Sequence, residues 1–286
     1  MNNTYTVEQF KSLKTVVVHG GVFHADDVFT VAYCQLLRTH YGVGALNVVR
    51  TFKVADYMTF DNGYLVADIG KGDFDHHFPE AEKERRANGV PYAAFGLVVK
   101  SFHEDFLNET EYELLDKKLI ESLDEHDNCG RGNELSSVIS SFNKNWDDPD
   151  PNMYTRFFDA VDLAYKILEK FIDNIRSFAK AKRIAEEQII EGNAIYMDVY
   201  APVNEYFADN PDVLYVGSPS LRGTYQMITV KDPRGVAKKL FPEEIRGISY
   251  PDGVFNDDGL SFCHPSGFMA SFKDKESAKA YIEKIS

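Results

Sequence analysis

The chain has 286 residues, 44% apolar and 27% charged, a length that can bury a full core and suits two domains better than one. No run approaches the roughly 18–20 apolar residues of a membrane span, the Met1-Asn-Asn-Thr start lacks a secretory pattern, and three widely spaced cysteines, Cys34, Cys129 and Cys263, argue against a disulfide framework. The missing span and secretory pattern give the expectation of a cytoplasmic protein with no membrane partner, and the net charge of −14 weighs against tight binding of a long polynucleotide.

Thr15-Val-Val-Val-His19 reads as a buried strand ending on its first polar residue, and Gly20-Gly21 lets the backbone turn at once. His24 and Asp26 follow. Asp26-Asp27 stands where a helix N-cap falls, ahead of Val28, Phe29, Val31, Ala32, Leu36 and Leu37, so that helix aims its positive end at the same place. Strands are expected at Asn47–Phe52 and Tyr64–Asp68, and Asp75-His76-His77 begins seven residues after Asp68. Helices are expected at Tyr92–Phe106 and Glu111–Leu123, the second followed by an acidic turn, Asp124-Glu-His-Asp127-Asn-Cys-Gly130. The alternation of strands and helices predicts a parallel α/β sheet, whose sites form beyond the carboxyl ends of its strands.

Pro149-Asp-Pro151 is a break. After it, Phe157, Val161, Ala164, Leu168, Phe171, Ile175 and Phe178 repeat at spacings of four and three, the apolar seam of a long helix that stops by Gly192-Asn193. Whether the seam packs on the sheet, joins two domains or pairs two chains in a homodimer is left open by the pattern. Ile195–Tyr200, Val213–Val216 and Tyr225–Val230 then read as strands of a smaller α/β domain that ends in a helix at Lys275–Ile285. The expected division is residues 1–192 and 193–286.

Histidine with aspartate is donor chemistry for Mn²⁺, Fe²⁺, Zn²⁺ or Co²⁺, whereas carboxylates alone suit Mg²⁺ or Ca²⁺. Singly, His19 at a strand end is an ordinary structural histidine and Asp26-Asp27 an ordinary cap. Together the four segments supply three histidines and three aspartates, enough for two cations sharing one bridging carboxylate. Such a pair can hold a hydroxide and clamp phosphoryl oxygens during in-line attack. The basic clusters Lys83/Arg85/Arg86, Lys180/Lys182/Arg183 and Lys238/Lys239 read as solvated surface. The chain has no Gly-x-Ser-x-Gly elbow, phosphate-binding loop or His-Glu-x-x-His helix.

The order His19…His24-Ala-Asp26, Asp68-Ile-Gly, Asp75-His-His and Asp127-Asn128 resembles the MYG1 family, often labelled metal-dependent protein hydrolases and related to the DHH phosphoesterases. Arg86-Ala-Asn-Gly-Val-Pro-Tyr-Ala-Ala-Phe-Gly96, Ser137-Val-Ile-Ser-Ser-Phe-Asn143 with Trp146, and Phe262-Cys-His264-Pro-Ser-Gly-Phe268 extend the similarity from about residue 14 to the C-terminus. The resemblance implies a DHH-type N-terminal catalytic domain, a smaller C-terminal substrate-binding domain, and an active site in the cleft between them. It implies His19 and His24 as ligands of one ion, Asp26, His76 and Asp127 as ligands of another, and Asp68 as the bridge. By the same resemblance His77 addresses the scissile phosphate, and His264 with Ser266 binds substrate. The implied activity is that of a dinuclear phosphodiesterase or 3′–5′ exoribonuclease, with Mn²⁺ the foremost cofactor and Mg²⁺, Zn²⁺ and Fe²⁺ the alternatives, acting on short RNA, nucleotides or other phosphoesters.

Two departures stand out. Asp127-Asn-Cys129 replaces the Asp-Asn-Gly common in the family, which leaves Asp124 as an alternative ligand, and Met269-Ala-Ser271 stands where the family often has paired glycines. The competing readings are a metal-dependent amidohydrolase or peptidase, a non-catalytic nucleotide- or metal-binding module, and a dimerising scaffold built on the long helix.

Overall fold

In the structure, a computed structural model, residues 5–150 and 152–286 are described. Met1–Thr4 and Pro151, the end of the expected break, lie outside them. The elements form an α/β protein with one parallel and one mixed sheet. No helix among the described residues is long and apolar enough to cross a membrane.

A short helix α1 (Val7–Ser12) leads into β1 (Thr15–His19), and α2 (Ala25–His40), β2 (Asn47–Thr51) and β3 (Tyr64–Val66) follow. The three strands are parallel in the order β2-β1-β3, with Thr15 opposite both Asn47 and Tyr64. Central β1 is buried from Thr15 to Val18 and emerges only at His19. This is why a continuous apolar run ends on a histidine: a parallel strand covered on both faces has room for polar chemistry only at its end.

The next elements are α3 (Ala94–Phe102), α4 (Glu109–Leu115), one π-helical turn (Asp116–Ile120), α5 (Glu121–Cys129), α6 (Glu134–Ser140) and α7 (Met153–Glu186). Two expectations are corrected. The helix expected at Tyr92–Phe106 begins only at Ala94, where a carboxylate described below takes its first amides. The acidic stretch expected as a turn continues the helix through Asp127, and Gly130, at φ 66° in the left-handed region, ends it. Asn108 caps the preceding segment reciprocally with Glu111, at 3.1 and 3.0 Å.

Contacts group the chain into two compact units, Met1–Arg176 and Ser177–Ser286. The sequence reading placed the division after the long helix, at Gly192. A break in periodicity marks where a helix stops, not which core its last turns join. Phe157, Val161, Ala164, Leu168 and Ile175 pack in the core of the first unit with Phe23, Phe29 and Phe95. Ala181 and Ala185 pack in the second unit with Ile195 and Val213.

The second unit contains β4 (Ala194–Tyr196), β5 (Tyr215–Pro219), β6 (Tyr225–Thr229), β7 (Leu260–Cys263), β8 (Met269–Phe272) and α8 (Lys275–Ile285). Its sheet runs β4-β5-β6-β8-β7, parallel only between β4 and β5. Ala278, Tyr281 and Ile282 of α8 close its core against Phe241 and Phe272. The strands β7 and β8 escaped the sequence reading because each spans four residues and Pro265 and Gly267 lie between them.

The seam of α7 is thus internal to the first unit along most of its length. Leu168→Ala should lower the unfolding free energy by about 2–5 kcal/mol, as read by denaturant titration. Light scattering should show the same mass as for the unchanged protein.

Candidate metal centre

His19 sits at the carboxyl end of β1, and its Nδ1–H is placed to donate to the carbonyl of Gly20 at 2.9 Å, which leaves Nε2 as the nitrogen available to a ligand. Gly21 then turns with φ +85°, and a Cβ there would lie 3.1 Å from the Phe52 ring. Asn143 fixes this loop from the side: it accepts from the Phe23 amide at 3.0 Å and donates to the Phe23 carbonyl at 2.8 Å. His24 immediately precedes α2, and Asp27 in the first turn accepts its backbone N–H at 3.1 Å.

Asp68, just beyond β3, is a non-glycine residue at φ +59° and is one of two such residues described, with Lys71 at +56°. Left-handed backbone costs of order 1–3 kcal/mol and persists where surrounding contacts over-determine it. Here the Asp68 amide donates to the Phe74 carbonyl at 2.9 Å. Asp75 stabilises the intervening turn: one oxygen accepts the Lys71 amide at 2.6 Å, and the other accepts the His77 amide at 3.0 Å and pairs with His77 Nδ1 at 2.8 Å. Burial would raise the Asp75 carboxyl, but these donors bring it down to about 2.

The donors converge on Asp68. Its Oδ2 lies 3.3 Å from His19 Nε2 and its Oδ1 lies 3.0 Å from His76 Nε2, so the carboxylate presents one oxygen to each imidazole. His76 Nε2 is also 3.0 Å from Asp127 Oδ2, and His19 Nε2 is 2.7 Å from Asp27 Oδ2. Three donor groups have their ligating atoms mutually within 4.8 Å: His19, His24 and Asp27; Asp68, His76 and His77; and Asp26, Asp68, His76 and Asp127. All six sequence-predicted metal ligands therefore occur in these groups. Asp26 has a second task, because its two oxygens accept the amides of Ala94 and Phe95 at 3.0 and 2.8 Å and so start α3.

Burial, followed by repulsion from neighbouring carboxylates, holds Asp26 well above the usual carboxylate range. Burial also pushes Asp68 to about 6, against the pull of His76. Burial disfavours charge on the imidazoles, yet the carboxylates outweigh it, raising His19 to about 9 through Asp27 and His76 to about 11 through Asp127 and Asp68. A cluster with this excess of negative charge calls for cations or protons. Its mixed nitrogen and oxygen donors suit a borderline divalent cation. The fully buried Asp27 adds a carboxylate oxygen, Oδ1, that has no hydrogen-bond partner in the structure.

The α5 helix is fastened from behind. Asn128 donates to the carbonyls of Tyr92 and Asp124 at 3.1 and 3.0 Å, which sets its Oδ1 toward His76 Nδ1 at 3.3 Å and Lys83 Nζ at 2.8 Å. Arg86, read from sequence as solvated surface, is buried. It forks onto Asp116 at 2.6 and 2.7 Å, reaches Asp124 at 2.7 Å and stacks on Tyr92. Asp124 also accepts the Gly96 amide at 3.2 Å, and a Cβ on Gly96 would fall 2.0 Å from its carboxylate. Asp124 is therefore committed to the scaffold, which corrects its reading as an alternative ligand.

A cavity of about 730 Å³ opens over the centre, lined in part by His24, His77, Lys83 and Asn128. His77 is 59% exposed there, whereas adjacent His76 is 6% exposed. His264 and Ser266 belong to the second unit, in the turn between β7 and β8. They hydrogen-bond to each other, Nδ1 to Oγ, at 2.8 Å. Sequence reasoning missed Asp27 as a donor because helix capping already explained it, and it missed Lys83 because one lysine in a basic run carries no spacing signal.

Residues 15–285 match the profile of MYG1_exonuc, described as Uncharacterised protein family (UPF0160). A MYG1 protein of Chlamydia trachomatis is 25% identical, covering 95% of this chain and 96% of that one. The MYG1 protein of Dictyostelium discoideum is 22% identical, covering 92% and 94%. A rat protein named MYG1 exonuclease is 22% identical, covering 91% and 81%. No solved structure matches.

Removing the arginine would leave Asp124 buried without its counter-charge. Arg86→Leu should destabilise the protein by about 3–5 kcal/mol in denaturant unfolding, far more than Arg85→Leu on the exposed side of the same run.

Proposed function

The chain belongs to the MYG1_exonuc family, and on that premise we propose that it is a dinuclear metal-dependent phosphoesterase that cleaves phosphodiesters, with short RNA as the substrate class. The observation that carries this reading is the Asp68 carboxylate, whose two oxygens face His19 on one side and His76 on the other. A ligand arranged in this way can serve two ions at once. The name of the rat relative, MYG1 exonuclease, supports the same class of chemistry.

In this reading His19 and His24 would hold one cation and Asp26, His76 and Asp127 the other, with Asp68 within reach of both. Two divalent cations bound there, with Mn²⁺ the foremost candidate, would supply Lewis-acid polarisation of the phosphoryl oxygens and lower the pKa of water. The chain's own groups position and protonate. Asp75 engages His77 Nδ1 and, against the effect of burial, raises the imidazole above its usual range. His77 Nε2 remains to donate to a phosphoryl oxygen or to relay a proton to the leaving oxygen. Asn128 keeps His76 Nδ1 engaged, so that Nε2 stays on Asp68 and Asp127. In the same reading His264 and Ser266, hydrogen-bonded to each other in the second unit, are substrate-binding residues. The acidic surface favours short strands over long duplexes, because few phosphates can be neutralised.

The test is hydrolysis of bis-p-nitrophenyl phosphate and of a short labelled RNA by EDTA-stripped protein reloaded with Mn²⁺, Mg²⁺ or Zn²⁺. Cleavage should require metal, fall to background in Asp68→Asn, and fall roughly 10²–10⁴-fold in His77→Ala with metal content unchanged. Full activity in Asp68→Asn, or no cleavage of either substrate with metal bound, would sink the proposal. Saturating Mn²⁺ should also raise the melting temperature, by the equivalent of about 2.7 kcal/mol at a hundredfold excess over Kd, and Asp68→Asn should lose most of that gain.

A further inference from the structure

Asp26 and Asp27 are neighbours on the first turn of α2, where a helix turns each side chain about 100° from the last. They consequently face different surroundings. Both oxygens of Asp26 accept α3 amides. Asp27 is wholly buried; its Oδ2 meets the His24 amide and His19 Nε2, while Oδ1 has no hydrogen-bond partner. A buried polar oxygen left without a donor is costly, so such an atom calls for a ligand. His19 has Nδ1 engaged by the Gly20 carbonyl, and its one remaining nitrogen points at Asp27 Oδ2, 2.7 Å away, and at Asp68 Oδ2, 3.3 Å away. His24 brings a third donor within 4.8 Å of His19 and Asp27.

We propose that Asp27 is itself a metal ligand, completing with His19 and His24 a two-histidine, one-aspartate site built within the segment His19–Asp27 and joined to the second site through Asp68. This inference rests on the dinuclear reading above and adds an asymmetry to it. The first site takes two imidazoles and one carboxylate from a single strand-turn-helix segment. The second takes one imidazole, from His76, with the carboxylates of Asp26 and Asp127, from three separate segments. Nitrogen-rich donors favour Zn²⁺ or Co²⁺, and oxygen-rich donors accept harder Mn²⁺ or Mg²⁺, so the two positions should differ in affinity and in preferred ion.

Stripped full-length protein would be titrated with Mn²⁺ and with Co²⁺ by calorimetry, with bound metal counted by atomic emission and the Co²⁺ form read by its visible d–d absorption. The unchanged chain should bind two ions of unequal affinity. Asp27→Asn should weaken the same ion as His24→Gln, by about tenfold or more, and alter the Co²⁺ absorption, and the double variant should lose no second ion. Asp27→Glu should recover part of the affinity with a shifted spectrum, and it carries the test if Asp27→Asn does not fold. Two ions at unchanged affinity in Asp27→Asn would overturn the assignment. So would weakened binding with an unaltered Co²⁺ spectrum, which would make Asp27 a positioning residue for His19. If His24→Gln loses an ion while Asp27→Asn does not, this inference alone fails; if the unchanged chain takes up no divalent ion, the dinuclear reading fails with it.

Discussion

The first unit is organised around the cost of burying Asp26, Asp27 and Asp68 beside the half-buried Asp127. Carboxylates removed from water must be paired, hydrogen-bonded or neutralised, and the fold supplies the first two in several ways. Helix α3 gives two amides to Asp26, so its positive end faces the cluster, and α2 begins at Ala25 with its own amino end there. His19 and His76 are pressed against the acids. What this protein scaffolding leaves uncompensated is the demand a divalent cation can meet, and neighbouring carboxylates add to burial in raising Asp26 and overcome burial in raising His76.

The scaffold behind α5 follows from the same constraint. Asp127 has to be presented at the end of a helix whose preceding turn also carries a buried acid, Asp124. A second buried charge close to the centre would add to the repulsion already raising Asp26, which feels Asp124 among its neighbours. Arg86 removes that difficulty by pairing Asp124 and Asp116 at once, and the bare backbone of Gly96 lets α3 approach closely enough to donate to Asp124. The π turn at Asp116–Ile120 lies on the same side and carries the carboxylate that receives the arginine fork.

Much of this was legible in the sequence for a physical reason. Val16 to Val18 must be buried on both faces of a parallel sheet, so the first polar residue after them can only emerge at the strand end. The same logic applies to Asp68 after Leu65 and Ala67. Local patterning could not reveal interactions that depend on distant partners. Arg86 looked exposed because its run is basic, and its burial depends on acids 30 and 38 positions away. The Asp124–Gly130 stretch looked like a turn because it is polar, yet its first acid, Asp124, is buried against the same arginine and the helix runs on to Cys129. The amphipathic stripe of α7 was readable, but its occupant was not, since a stripe at spacings of four and three fits an internal core as well as another chain.

His76 and His77 show how the fold draws different roles from adjacent identical residues. Successive side chains on extended backbone point to opposite sides, and which of the two imidazoles is buried depends on how the chain enters the pair. The division comes from the turn between Asp68 and Asp75, where left-handed backbone at Asp68 and Lys71 reverses the chain within a few residues. Asp75 then fixes the reversal by accepting the amides of Lys71 and His77. With the turn set, His76 enters the carboxylate cluster and His77 is held at its edge by the same Asp75 oxygen that bonds its amide. The strain of the turn and the separation of the two histidines are thus one feature: relaxing Asp68 into ordinary backbone would move the shared carboxylate and misdirect both rings. That coupling explains why an aspartate, rather than glycine, occupies a position whose backbone favours glycine.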